Sequence, residues 1–257
     1  MKRLLFLLVF IPLISLGQDF KTTNVGSSKK LEGKIYVLTI FISESHWDYN
    51  NKLKIYNEIY EAENWLVNQA KIYNKKLEFI GGQFGLNNTV ILNQIPVGTA
   101  SGNEPVNLVD KVLRKVGYSS VSKFSNWIIE NTDADNYLVL IIANKKGNGY
   151  AMPYPKGADK KYFVEGTILY KRDLQNSRLV SSEIAHEFLH LFGAWDLYET
   201  YQQPKSREDK AKELFPNDIM HRVSYDINEL KIDKLTAWLV GLSNFKEDWY
   251  NWFKPID

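Results

Sequence analysis

The sequence predicts a mixed α/β fold, and three observations carry that prediction. Residues 35–42 and 137–143 are apolar at nearly every position, which suits strands buried on both faces of a sheet. Between them, residues 50–73 carry Tyr56, Ile59, Ala62, Leu66 and Ala70 at steps of three and four, the period of an amphipathic helix. The candidate elements run strand, helix, strand, two helices, three strands, helix, loop, helix. That alternation is expected of helices packed on one mixed sheet, an α/β or α+β architecture.

In chain order, residues 1–17 hold Lys2 and Arg3, no acid, and then the apolar run LLFLLVFIPLISL. With Ser15 and Gly17 placed for cleavage before Gln18, this reads as a signal peptide. The run falls short of the roughly 20 residues of a membrane-spanning helix. Export to a secreted or periplasmic location follows, with no stable membrane anchor after cleavage. Residues 18–33, QDFKTTNVGSSKKLEG, are polar and rich in Gly, Ser and Lys, so a flexible leader is expected. Residues 34–257 are then one catalytic-sized domain, expected to act as a monomer.

Within it, residues 77–80 predict a short strand ended by Gly81 and Gly82, and residues 106–116 and 121–130 two helices parted by Gly117. Residues 145–149 read as a loop. Residues 150–154 are extended but contain Pro153, which suits a sheet edge, with the strand candidate 163–170 lying inward of it. Residues 179–192 have the length and composition of a helix that Gly193 stops, and residues 232–242 predict another.

Composition excludes several chemistries. The chain has 257 residues and no cysteine, so it has no disulfide framework, thiolate metal site or cysteine nucleophile. Apolar residues make up 44% and charged residues 24%, the balance of a globular protein rather than a disordered one. Lys and Arg exceed Asp and Glu by 32 to 30, and both surplus charges belong to residues 1–17. The remainder is neutral, which gives no support to a nucleic-acid or anionic-membrane partner.

The stretch HEFLHLFGAWD, from His186 to Asp196, carries the chemistry. On a helix, His186 and His190 are four apart and share a face, so both imidazoles reach one metal ion. Glu187, one step around, reaches a water in that ion's open position. Gly193 can take the left-handed conformation that ends the helix and turns the chain, so that Asp196 supplies a third ligand. Two imidazoles and a carboxylate leave one position of tetrahedral zinc open, as a catalytic site requires.

This motif, followed by Met220 in NDIMHR, resembles the metzincin clan of zinc metallopeptidases. The third-ligand Asp resembles the clan's snapalysin-type members. The resemblance implies a mixed twisted sheet with an edge strand, packed helices, an active-site helix and a turn whose methionine underlies the metal. It also implies one catalytic Zn2+ on His186, His190 and Asp196, Glu187 as general base and acid, and Met220 as the structural base of the site. The activity implied is hydrolysis of protein or peptide substrates. Arg222 stands where some relatives carry a tyrosine, and neither Tyr198 nor Tyr225 is assigned that part.

Other readings stay open at this point. A downstream acid such as Glu213 or Glu229 could replace Asp196 as third ligand. The scaffold could serve as an exported binding or adhesion module, or a zinc hydrolase could act on cell-wall cross-links or glycoproteins. His221 and His46 carry no assigned role, and calcium binding is left undetermined. Lys145, Lys146 and the aromatic tail Trp249, Tyr250, Trp252 and Phe253 read as a solvated loop and a segment packed on the core.

Overall fold

One continuous sheet holds β2 (Leu77–Phe84), β1 (Gly33–Ser43), β4 (Asn136–Lys146), β6 (Gly166–Arg172) and β5 (Tyr150–Met152) in that order, and β3 (Val90–Ile91) pairs with the end of β1. The computed structural model describes residues 25–97, 104–154 and 163–256, with the backbone alone at 104–107. The signal-peptide segment and residues 18–24 of the expected leader lie outside the described residues.

β1 (Gly33–Ser43), β2 (Leu77–Phe84), β4 (Asn136–Lys146) and β6 (Gly166–Arg172) are mutually parallel, and β5 (Tyr150–Met152) runs antiparallel to β6 at the edge. β3 is the two-residue Val90–Ile91. The apolar runs explain the centre: side chains of β1 and β4 alternate between two cores, one on each face. On one face Val37, Phe41, Leu138 and Leu140 meet α1 (Tyr49–Ile72) and α4 (Ser181–Leu191). On the other, Leu38, Ile40, Val139 and Ile141 meet α2 (Glu104–Lys115) and α3 (Val121–Asn131). Asp48 caps α1 by accepting from Asn51 N–H at 2.9 Å, and Ser120 caps α3 from Lys123 N–H at 3.2 Å. No helix among the described residues is long and apolar enough to cross a membrane.

Several expectations are refined. β2 runs through Gly81 and Gly82 instead of stopping there, because β2 lies so close to β1 that a Cβ on Gly81 would sit 2.1 Å from the Val37 carbonyl oxygen. Only glycine fits, so the residue that reads as a strand breaker is what lets the pairing continue. β4 extends to Lys146, taking in part of the expected loop. The last helix, α6 (Lys234–Leu239), is shorter than its apolar pattern. α5 (Lys205–Leu214) buries only Ala211 and so has no apolar period to read. The aromatic tail forms the 3-10 helix Asp248–Phe253, with Tyr250 and Phe253 in the core and Trp249 stacked on Phe215.

The described part of the expected leader is also packed. Ser28 and Leu31 are fully buried, and the Glu165 carboxylate reaches across from the start of β6 to hold them. It accepts from Ser28 N–H at 2.6 Å and the Ser27 hydroxyl at 3.2 Å, while Tyr154 N–H donates to its other oxygen at 2.9 Å. Asn136 accepts from Lys29 N–H at 2.7 Å. A polar composition thus reports hydrogen bonding here rather than mobility.

Removing that carboxylate leaves buried N–H donors unsatisfied, each costing about 1–3 kcal/mol. Glu165→Ala is therefore expected to lower unfolding stability by about 3 kcal/mol, read from the urea midpoint. A midpoint equal to that of the parent chain would contradict the anchoring role.

Candidate metal centre

α4 carries the motif on the face of the sheet it shares with α1. Its apolar residues Ile184, Phe188 and Leu189 are fully buried, which fixes the rotation of the helix. His186 and His190 consequently emerge side by side, their ring centroids 4.8 Å apart and their planes nearly perpendicular at 87°.

The helix end is built as the sequence suggests. Gly193 has φ of 103°, its N–H donates to the His190 carbonyl at 3.0 Å, and Ala194 N–H donates to Leu189 at 3.0 Å. These are the paired bonds of a Schellman motif, which ends the helix and reverses the chain. The reversal returns Asp196 to the two histidines.

Each imidazole is locked by its second nitrogen. His186 Nδ1 lies 3.0 Å from the Ile219 carbonyl oxygen, and His190 Nδ1 lies 3.0 Å from that of Ala194. A carbonyl only accepts, so both Nδ1 atoms carry hydrogen, and in the neutral rings that metal binding requires both Nε2 atoms present lone pairs inward. The two Nε2 atoms are 3.1 Å apart, and Asp196 Oδ1 is 3.3 Å from His186 Nε2 and 3.2 Å from His190 Nε2. Three electron-rich atoms converging this closely repel one another unless a positive charge sits among them. A tetrahedral ion with bonds of about 2.0–2.1 Å sets its ligand atoms about 3.3 Å apart, so the spacing fits a metal ion. His186, Glu187 and His190 themselves form a group that could hold a metal, with ligand atoms all within 4.8 Å.

The electrostatics state the same demand. Burial disfavours a charged His190, yet the Asp196 and Glu187 carboxylates outweigh it and hold the imidazole up at about 9. Burial likewise opposes charge on His186, and its contact with Asp196 again prevails, raising it. Asp196 is itself buried, but the two imidazoles hold its carboxyl well below the usual carboxylate range. The centre draws in a proton or a cation. For Glu187 burial dominates over both imidazoles and raises its pKa. One Glu187 oxygen, Oε2, is buried without a hydrogen-bond partner, while the nearby backbone N–H of Ala151 in the edge strand acts weakly to lower the pKa.

Met220 lies in a tight turn beside the site and is fully buried. The Ile219 carbonyl orients His186, and the Met220 carbonyl accepts from Leu197 N–H at 2.8 Å, one residue past Asp196. Asp218 secures the turn, accepting from Met220 N–H at 2.7 Å and from Asp233 N–H at 2.8 Å. Its burial outweighs those bonds and pushes its carboxyl up to about 6. Such outer contacts set ligand orientation, and nothing in the motif points to Asp218.

Other candidates separate clearly. Glu213 pairs with Lys210 at 2.8 Å, and Glu229 accepts from the Ser224 hydroxyl at 3.0 Å and pairs with Arg222 at 3.6 Å. Neither joins the histidines. His46 is exposed, and His221 has both ring nitrogens buried without a partner. Tyr198 is brought to the site: its ring is 6.1 Å from that of His186, and its phenol lies near the Asp196 carboxylate. Burial, then the charges of Asp196 and Glu187, push that phenol upward. Its position two residues after Asp196 was the only sequence signal. Tyr225 is instead next to Arg178.

No known family model matches the chain, and no curated protein sequence matches it.

If Asp196 completes the ligand set, Asp196→Ala is expected to weaken zinc binding by about 100-fold or more, beyond the 10–100-fold typical of losing an outer contact. Competition against a chromophoric chelator reads this. An affinity equal to the parent's would remove Asp196 from the metal.

Proposed function

We propose that the protein is an exported zinc endopeptidase of the metzincin type. The observation that carries this reading is the partnerless buried oxygen of Glu187 beside three inward-facing ligand atoms. The resemblance on His186, Glu187, His190, Gly193, Asp196 and Met220 supports it, as do the edge strand and the buried methionine turn. Export rests on the sequence of residues 1–17.

His186, His190 and Asp196 would hold the ion, and a bound zinc supplies an open position that acidifies water and polarises a carbonyl. The residues do the rest. Glu187, poorly solvated and raised in pKa, takes the proton of the attacking water and delivers it to the leaving amide nitrogen. α4 packs against β5, so the base lies between the helix and the edge strand. An extended peptide laid along β5 would bring its scissile bond beside the water that this base deprotonates.

The test separates metal binding from turnover. Glu187→Gln removes the base and no ligand atom, so zinc content stays at one per chain while hydrolysis of a mixed peptide library falls by about 100-fold or more. Undiminished turnover would reject Glu187 as the base. A parent protein that binds zinc yet cleaves no peptide would favour the binding-module reading.

A further inference from the structure

At the opposite edge of the sheet from β5, α1 and β2 enclose a second cavity of about 260 Å³. Four strand spacings of about 4.8 Å separate the two edges, so the cavity is about 19 Å across the sheet from β5. Its origin is the close approach of β2 to β1. Gly81 must lack a side chain there, since its Cβ would lie 2.1 Å from the Val37 carbonyl oxygen. With no side chain at Gly81, a gap stays open between α1 and the sheet beside Phe79 and Gln83.

What faces that space is specific. Tyr56, Tyr60 and Glu63 recur at steps of four and three and share one face of α1, and Phe79 closes the cavity from β2. Tyr60 is 65% exposed and forms an open rim. Glu63 is half-buried and makes no hydrogen bond or ion pair with any described residue. Burial alone pushes its carboxyl up to about 7. A carboxylate kept from water without a counter-charge is costly, and aromatic ring faces attract the same ions that would relieve it.

We propose that this cavity binds an organic cation, an alkylammonium or alkylguanidinium group, with Glu63 as counter-ion and the rings of Tyr56, Tyr60 and Phe79 as its walls. A five-atom chain needs roughly 150 Å³ at about 30 Å³ per heavy atom, which the cavity provides. The source is either a free amine or a lysine or arginine side chain of another polypeptide. The site is separate from the metal centre and does not depend on hydrolysis.

The test is calorimetric titration of the full chain with butylammonium, with a blocked lysine peptide and with neutral butanol. Saturable binding of a cation but not of butanol is expected, weakened about tenfold by Glu63→Gln, the loss of one charge contact. Tyr60→Ala, at an exposed position, is expected to weaken it about threefold. Equal affinity for butylammonium and the peptide identifies a free-amine site, and selective capture of the peptide a polypeptide-binding one. Glu63→Gln removes an unpaired carboxyl and is expected to fold, with a melting temperature at or above the parent's. No saturation by either cation up to about 10 mM, or unchanged affinity in Glu63→Gln, would overturn the proposal.

Discussion

Three lone pairs aimed at one point are the constraint on which the rest of this structure depends. His186 Nε2, His190 Nε2 and Asp196 Oδ1 lie 3.1 to 3.3 Å from one another, and with hydrogen on both Nδ1 atoms only an added proton or cation relieves them. The Ile219 and Ala194 carbonyls hold both rings in the tautomer that maintains the convergence. Such an arrangement is stable when a cation occupies its centre. The Schellman end of α4, the turn at Met220 and the Asp218 carboxylate all act to keep it assembled.

The sheet places this centre. β4 and β6 are buried on both faces, so the helices over them have no freedom to slide, and α4 is fixed against α1 on one side. β5 then sits at the sheet edge with Ala151 directed at Glu187. Base and edge strand are thereby brought together by the packing of α4 against β5. At the opposite edge, Gly81 lets β2 pair closely with β1, and α1 and the sheet border the cavity that Glu63 lines.

Much of this was legible in the residues, for physical reasons that also explain the rest. The strands around 35–42 and 137–143 are doubly buried, and burial on two faces forces an apolar run that cannot be missed. α1 and α4 have one buried stripe each, which the three-and-four spacing reports. The convergence of His186, His190 and Asp196 was readable because a helix sets one interval and Gly193, at φ of 103°, sets the other. Hidden features rest on contacts with no local period. α5 packs through Ala211 alone, β2 continues through Gly81 because of its neighbour, and the leader is held by Glu165, distant in sequence by 137 residues. Asp218 and Tyr198 likewise act through partners that spacing does not encode.

Zinc K-edge X-ray absorption of the zinc-loaded chain tests the central claim most directly, because it reads the atoms around the ion rather than the consequences of binding. The account predicts two imidazole nitrogens at about 2.0–2.1 Å, with the remaining neighbours oxygen at about 2.0–2.2 Å, one of them lost in Asp196→Ala. A shell of oxygens without imidazole scattering would contradict it, as would a first shell that Asp196→Ala leaves unchanged.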